Sequence, residues 1–287
     1  MPRLSDPNKM TFLEHLEELR RRLLRVLVAV AVAAAVCFYF SKQLVALVLL
    51  PGGGAFIYVK PAEAFTVYLA VSALAGLVLA SPYVFFQLWR FVAPGLLPRE
   101  RRYALPFILA TTLCFATGVV FGYFLLFPAM RFFRSFEAAA LVPHLSFGGY
   151  EFPPAEVLQR VKTPSLSARW TIGAYASLAL RLVLATGLIF ESPVVIYFLA
   201  RLGIVSPRTL TSKWRHVVVG IFIVAAVLTP GPDMFTQTLL AIPLVLLYLV
   251  SIVVAWFAYP KTKMGDEGEP AEAEVPTDAG PPAGLAG

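Results

Sequence analysis

The sequence predicts an all-α membrane protein with six transmembrane helices, and three observations support this fold class. Of the 287 residues, 59% are hydrophobic and 14% are charged, whereas soluble domains carry about 25% charged residues. Six runs of the chain are apolar and nearly free of charge, and they follow one another closely. Residues 1–259 are therefore predicted to form one membrane domain. Residues 260–287 are rich in Pro, Gly, Ala and acids, a composition that predicts a disordered tail.

The six predicted spans have the composition of helices that cross a hydrocarbon core. They are residues 26–40, 64–89, 103–130, 170–200, 217–229 and 234–259. Leu23 and Leu24 lengthen the first span, because Arg25 can reach back to the interface. The fifth covers roughly 20 Å at 1.5 Å per residue, against a core of about 30 Å. Either the bilayer thins there, or a partner shields the span, or Trp214 and His216 extend it.

The distribution of Lys and Arg predicts the orientation in the membrane. With the N-terminus inside, sixteen of the 24 Lys and Arg residues lie in inside segments, seven lie outside, and Arg181 lies within a span. Because Lys and Arg collect on the cytoplasmic side, both termini are predicted to be cytoplasmic. Residues 20–36 also have the pattern of a secretory signal. An uncleaved first helix explains the same residues, and five further spans favour it.

The N-terminal segment 11–22 is predicted to be an amphipathic helix that runs into the first span. Thr11 and Glu14 fit a capping box. Glu17 and Glu18 each stand four residues before an arginine, the favourable order for an ion pair on a helix. The apolar residues follow a helical stripe, and they are Phe12, Leu16, Leu19 and Leu23.

The segment 131–169 is a long loop that lies outside in this orientation. It is rich in Pro, Gly and aromatic residues. This composition predicts an ordered cap, with a short helix at 154–161, rather than a flexible linker.

No catalytic or metal-binding pattern stands out in the chain. His15, His144 and His216 are far apart, and Cys37 and Cys114 each lie within an apolar run. Motifs of zinc proteases, serine hydrolases and phosphate-binding loops do not occur. We therefore expect no cofactor and no covalent reaction. The net charge of +7 is assigned to the membrane surface rather than to nucleic acid. Three classes of function remain open: a transporter or channel, a membrane enzyme, and a receptor for another polypeptide.

Four motifs resemble the TatC family, the polytopic subunit of the twin-arginine protein translocase. Residues 15–23, "HLEELRRRL", match the pattern His-Leu-x-Glu-Leu-Arg-x-Arg-Leu at every fixed position. The other three follow in the family's order, and they are residues 91–102, 190–194 and 228–243. The resemblance implies a concave bundle with short fifth and sixth helices. It also implies a receptor for signal peptides with paired arginines, which helps to move folded proteins and draws on the proton-motive force.

The resemblance also implies partners, a location and a binding site. The partners would be single-span TatA- and TatB-type subunits in an oligomeric complex in the bacterial cytoplasmic membrane. The family's arginine-binding carboxylates fall on Glu18 and Glu100, and its receptor-site aromatic falls on Phe91. A carboxylate accepts a guanidinium through two parallel hydrogen bonds, which lysine cannot reproduce. Arg20 would orient these carboxylates and repel other cations. From the residues alone, Glu18 also fits an ordinary ion pair, and Phe91 fits an interfacial anchor.

Two polar pairs remain in or near the spans. Glu191 and Arg181 are ten residues apart, or about 15 Å and about 80° around one helix, so a direct pair is not expected. Glu191 fits either a hydrated cavity or a polar contact between helices. Thr229 and Gln237 match positions that contact partner subunits in the family. Residues 229–233 insert a glycine into the family's usual Thr-Pro-Pro-Asp, which changes the hairpin.

One alternative function uses the same two intramembrane charges. A secondary transporter of small solutes would place Arg181 and Glu191 at a midplane site. Such folds often contain inverted repeats, and no convincing repeat relates the first three spans to the last three.

Overall fold

A computed structural model describes residues 12–54, 56–92, 104–135, 145–147, 150–152, 170–229 and 234–259. Most of these residues are helical. The helices, in chain order, are α1 Phe12–Tyr39, α2 Ser41–Leu49, α3 Glu63–Val92, α4 Ala104–Ser135, α5 Ile172–Ile189, α6 Ser192–Arg201, α7 Pro207–Ser212, α8 Trp214–Leu228 and α9 Met234–Ala258. A 3-10 turn, Leu50–Gly52, follows α2. Strands β1 Leu145–Phe147 and β2 Tyr150–Phe152 pair antiparallel.

The described helices are consistent with six membrane spans. Five segments are long and apolar enough to cross a membrane: α1 from Glu14, α3, α4, the α5–α6 pair and α9. The fifth span is α8, whose 15 residues cover about 22 Å. It begins at Trp214, which agrees with the alternative that Trp214 and His216 extend this span. Capping box residue Thr11 and the tail 260–287 lie outside the described residues.

The predicted all-α fold class is confirmed, with one detail corrected and one added. The sixth span is not short, because α9 runs for 25 residues, or about 37 Å, along an uncharged sequence. The added detail is a small hairpin, in which Leu145 pairs with Phe152 and Phe147 with Tyr150. The predicted helix at 154–161 lies outside the described residues.

Close backbone contacts hold neighbouring spans together. Gly76 of α3 lies against the backbone of Ala34 in α1, and a side chain at Gly76 would overlap it. A Cβ at Gly118 of α4 would lie 2.7 Å from the carbonyl oxygen of Thr186 in α5. Small residues at such positions let helix backbones approach closely, which is the usual means of packing inside a membrane.

The core lies where α4, α5 and α9 meet. Its fully buried side chains include Leu126, Met130, Tyr175 and Leu240. Tyr175 also donates a hydrogen bond from its hydroxyl to the carbonyl oxygen of Val48, at 3.0 Å. Through this bond the core reaches α2, a helix that the sequence analysis did not predict.

The two ends of the bundle differ. We call the end where α1 begins and α3 and α6 finish the basic end; it carries Arg20, Arg90, Arg201, Arg208 and Arg215. At the opposite end, Glu63 fastens α3 to α5. Its carboxylate accepts hydrogen bonds from the backbone N–H groups of Val59, Lys60 and Gly173, at 2.8, 3.2 and 2.8 Å.

Candidate functional site

The candidate site lies at the basic end, on the first turns of α1. Glu18 Oε1 accepts a hydrogen bond from Arg22 Nε at 3.0 Å and a second from Arg22 Nη2. Glu17 pairs with Arg21 at 2.6 Å. Both predicted i, i+4 pairs are therefore present. They differ in burial, because the Glu18 and Arg22 side chains are 23% and 11% exposed, whereas those of Glu17 and Arg21 are more than half exposed.

The Glu18–Arg22 pair leaves polar atoms without partners. In the part of the chain that the structure describes, Glu18 Oε2 and Arg22 Nη1 are buried and make no hydrogen bond. Such atoms are costly, because a buried polar group without a partner has lost its hydration. A carboxylate has about four lone-pair positions, so Glu18 retains acceptor capacity beside its bond to Arg22.

An aromatic stack joins α1 to α3 beside Glu18. The rings of His15 and Phe91 lie parallel, with centroids 4.5 Å apart and an angle of 20°. His15 precedes Glu18 by one helical turn, and Phe91 is the penultimate residue of α3. The structure therefore brings the Glu18 turn and Phe91 to one place. Sequence reasoning missed His15, although its position one turn from Glu18 within the first motif was the available signal.

The other predicted members of this site have different positions. Arg20 is exposed on α1. Glu100 lies outside the described residues.

Glu191 lies at the junction of α5 and α6, where the predicted fourth span is broken. It precedes α6, whose first turn contains Pro193, a residue that suits a helix start because no N–H bond is lost there. The Glu191 side chain is buried, and its Oε1 atom makes no hydrogen bond to any described residue. Arg181 is exposed and donates from Nε to the carbonyl oxygen of Ser177 at 3.0 Å. No ion pair joins the two among the described residues, as the helix geometry predicted.

Thr229 and Gln237 make hydrogen bonds within the α8–α9 hairpin. Thr229 Oγ1 donates to the carbonyl oxygen of Ala225 at 3.0 Å. Gln237 Nε2 donates to the carbonyl oxygen of Phe222 at 2.9 Å, which fastens α9 to α8. Their predicted contact with partner subunits stays a prediction. Residues 230–233, which include the inserted glycine, lie outside the described residues.

Metal-binding geometry is absent from the described residues. No group of three or more His, Cys, Asp and Glu side chains there lies close enough to hold a metal ion.

These features define a polytopic helical membrane protein whose basic end presents a half-buried carboxylate beside an aromatic stack. Residues 14–243 match the family model of Sec-independent protein translocase protein (TatC). A TatC of Koribacter versatilis is 36% identical over 264 residues, covering 88% of each chain. A chloroplastic TATC of Arabidopsis thaliana is 38% identical over 250 residues, covering 86% of this chain and 66% of the relative.

Solved structures agree with these relatives. A crystal structure of the twin-arginine translocase receptor TatC is 33% identical and superposes with a TM-score of 0.66 over 85% of this chain and 99% of the other. A second crystal structure of the receptor, in the detergent DDM, is 31% identical in sequence and superposes with a TM-score of 0.68. The chain belongs to the TatC family, and the predicted resemblance is confirmed. It is a membrane component of a protein translocase, and the alternative of a solute transporter is not supported.

Proposed function

We propose that this chain is the receptor that binds twin-arginine signal peptides, with Glu18 and Glu100 each accepting one arginine. The observation that carries this function is the half-satisfied carboxylate of Glu18. Arg22 holds one oxygen of this carboxylate, and the other oxygen has no partner among the described residues. An incoming guanidinium would supply the missing donors. The gain in binding free energy would be larger for a guanidinium than for an ammonium, because the planar guanidinium can donate two parallel hydrogen bonds.

The aromatic stack and the exposed arginine add selectivity to this site. A guanidinium stacks on an aromatic face better than an ammonium does, and the ring pair of His15 and Phe91 is one turn from Glu18. Arg20 repels cations that approach without a well-placed acceptor. It also attracts anionic lipid headgroups, which would hold α1 at the interface.

The wider assembly follows from the family. We infer an oligomeric complex with single-span TatA- and TatB-type subunits, which contact the α8–α9 hairpin near Thr229 and Gln237. The complex lies in a bacterial cytoplasmic membrane with both termini of this chain in the cytoplasm, since the basic end carries most of the arginines. Transport draws on the proton-motive force. The receptor needs no cofactor and performs no catalytic step.

The test compares peptides and variants on the purified full chain. A signal peptide with Arg-Arg and one with Lys-Lys are measured by fluorescence anisotropy. Removing the charge of Glu18 or Glu100, as Glu18→Gln and Glu100→Gln, should weaken Arg-Arg binding roughly 10- to 150-fold, because a hydrogen bond to a charged group contributes about 1.5–3 kcal/mol. Glu17→Gln is the matched control, since Glu17 is the neighbouring exposed acid, and it should change binding less than about twofold.

Two results would contradict the receptor assignment. One is equal affinity for the Arg-Arg and Lys-Lys peptides. The other is a loss of binding as large in Glu17→Gln as in Glu18→Gln, which would indicate general electrostatic attraction.

A further inference from the structure

A cavity of about 420 Å³ lies between α3, α4, α6 and α9, near the basic end. Three rings in its wall contact one another: Trp89 and Phe107 have centroids 4.6 Å apart, and Phe198 lies 5.7 Å from Trp89 and 5.9 Å from Phe107. The volume falls within the range of pockets that bind small molecules, about 300–1,000 Å³. Neither Glu18 nor the rings of His15 and Phe91 line this cavity.

Among the described residues that line the cavity, one side chain carries a charge. Most of the lining is aromatic or aliphatic, and Arg201, the last residue of α6, is the charged side chain in it. Arg201 is exposed, and in the described part of the chain no hydrogen bond or ion pair engages it. Arg90, which follows Trp89 on α3, is also exposed. The mouth of the cavity is therefore electropositive, and its interior is apolar.

The depth of the cavity matches one leaflet of a bilayer. Its lining on α4 extends from Pro106 to Cys114, eight residues or about 12 Å along the helix. Half of a hydrocarbon core is about 15 Å. Arg201 ends its span at the basic end, so the guanidinium lies at the level of the headgroups. Tyr197, one turn earlier, is 43% exposed, which leaves this side of the cavity open to the bilayer.

We propose that this cavity binds one anionic phospholipid, with an acyl chain against the three rings and the phosphate at Arg201. Arginine binds phosphate through two parallel hydrogen bonds. Basic pockets between transmembrane helices on the cytoplasmic side are sites for anionic headgroups. The apolar part of a signal peptide is the competing occupant, but it carries no anionic group that could pair with Arg201.

The test uses Trp89 as the reporter, because this indole lines the cavity. A full-length background chain carries Trp170→Phe, Trp214→Phe and Trp256→Phe, so that Trp89 alone fluoresces. It is reconstituted in phosphatidylcholine nanodiscs that contain a small fixed fraction of a lipid with brominated acyl chains. The brominated lipid is phosphatidylglycerol in one sample and phosphatidylcholine in the other, and quenching of Trp89 is compared.

The anionic lipid should quench Trp89 at about one fifth of the concentration that the zwitterionic lipid needs. This ratio is the preference that one basic residue near a membrane surface produces. Arg201→Gln should abolish this preference, and Arg201→Lys should keep part of it. Arg215→Gln, at the same end but outside the cavity, is the matched control and should leave it unchanged. Ala110→Phe, which places a ring inside the cavity, should reduce quenching by both lipids.

Several outcomes would overturn the lipid site. Equal quenching by the two lipids, or a preference that survives Arg201→Gln, would mean that only bulk lipid reaches Trp89. Quenching of Trp89 by a brominated residue in the apolar part of a twin-arginine peptide, with none by phosphatidylglycerol, would make the peptide the occupant. Gel filtration of each variant separates these outcomes from a failure to fold.

Discussion

The hydroxyl of Tyr175 should control how firmly α2 is held, and Tyr175→Phe tests this. Tyr175 is 1% exposed, and its hydroxyl donates to the carbonyl oxygen of Val48 near the end of α2. The last carbonyls of a helix have no partner within the helix. Removing the donor therefore leaves one carbonyl group unpaired in a partly buried position, while the packing of the ring against Phe56 is retained.

The size of the effect follows from this geometry. Loss of the hydrogen bond, together with an unpaired acceptor, costs about 1–2 kcal/mol. If α2 opens locally, its amide hydrogens should then exchange roughly 5- to 30-fold faster. Hydrogen exchange with mass spectrometry on the full chain in detergent would measure this on peptides from residues 41–49, with peptides from α9 as the internal reference.

A matched substitution gives the control. Tyr123 donates to the carbonyl oxygen of Leu47, also at 3.0 Å, but this bond is exposed. The carbonyl oxygen of Leu47 also accepts the backbone N–H of Leu50, so it keeps a partner, and Tyr123→Phe should raise α2 exchange less than Tyr175→Phe. Unchanged exchange of α2 in Tyr175→Phe, or equal acceleration in α2 and α9, would refute the reasoning, because the hydrogen bond would then not be what holds α2.

Three further predictions concern contacts between helices. Gly76→Leu should separate α1 from α3, because the side chain would overlap the backbone at Ala34; we expect a lower melting temperature and weaker Arg-Arg peptide binding, and Gly220→Leu, at an open position, should change neither. Gln237→Leu should cost about 0.6 kcal/mol, because it removes the α9–α8 hydrogen bond, with peptide binding unchanged; weakened binding would contradict this. Glu63→Gln should lower the melting temperature, since an amide cannot accept from all three backbone N–H groups; an unaltered melting curve would show that water replaces the carboxylate.

The parts of the fold that were predictable depend on neighbours in sequence. Long apolar runs predicted the spans because each span satisfies its own backbone in lipid. The ion pair of Glu18 and Arg22 was predictable because four residues form one turn of helix. The same local argument correctly excluded a direct pair between Arg181 and Glu191.

The parts that were missed depend on distant contacts. Helix α2 is nine residues long, which is marginal for an isolated helix. Tyrosines far along the chain, Tyr123 and Tyr175, bond its last carbonyls. The stack of His15 on Phe91 likewise joins residues of two different helices. No periodicity in a single segment encodes either contact. Glu100 remains a prediction from the family motif.

The packing of α1 also has a consequence for the order of assembly during synthesis. Its principal neighbour among the described helices is α3, which it meets where Gly76 lies on Ala34. A ribosome adds about 5–20 residues per second, so several seconds separate the synthesis of these two positions. During that interval α1 is a solitary helix in the membrane, with Glu18 already made and Phe91 still absent. The stack between His15 and Phe91 can therefore form only when the second long span arrives.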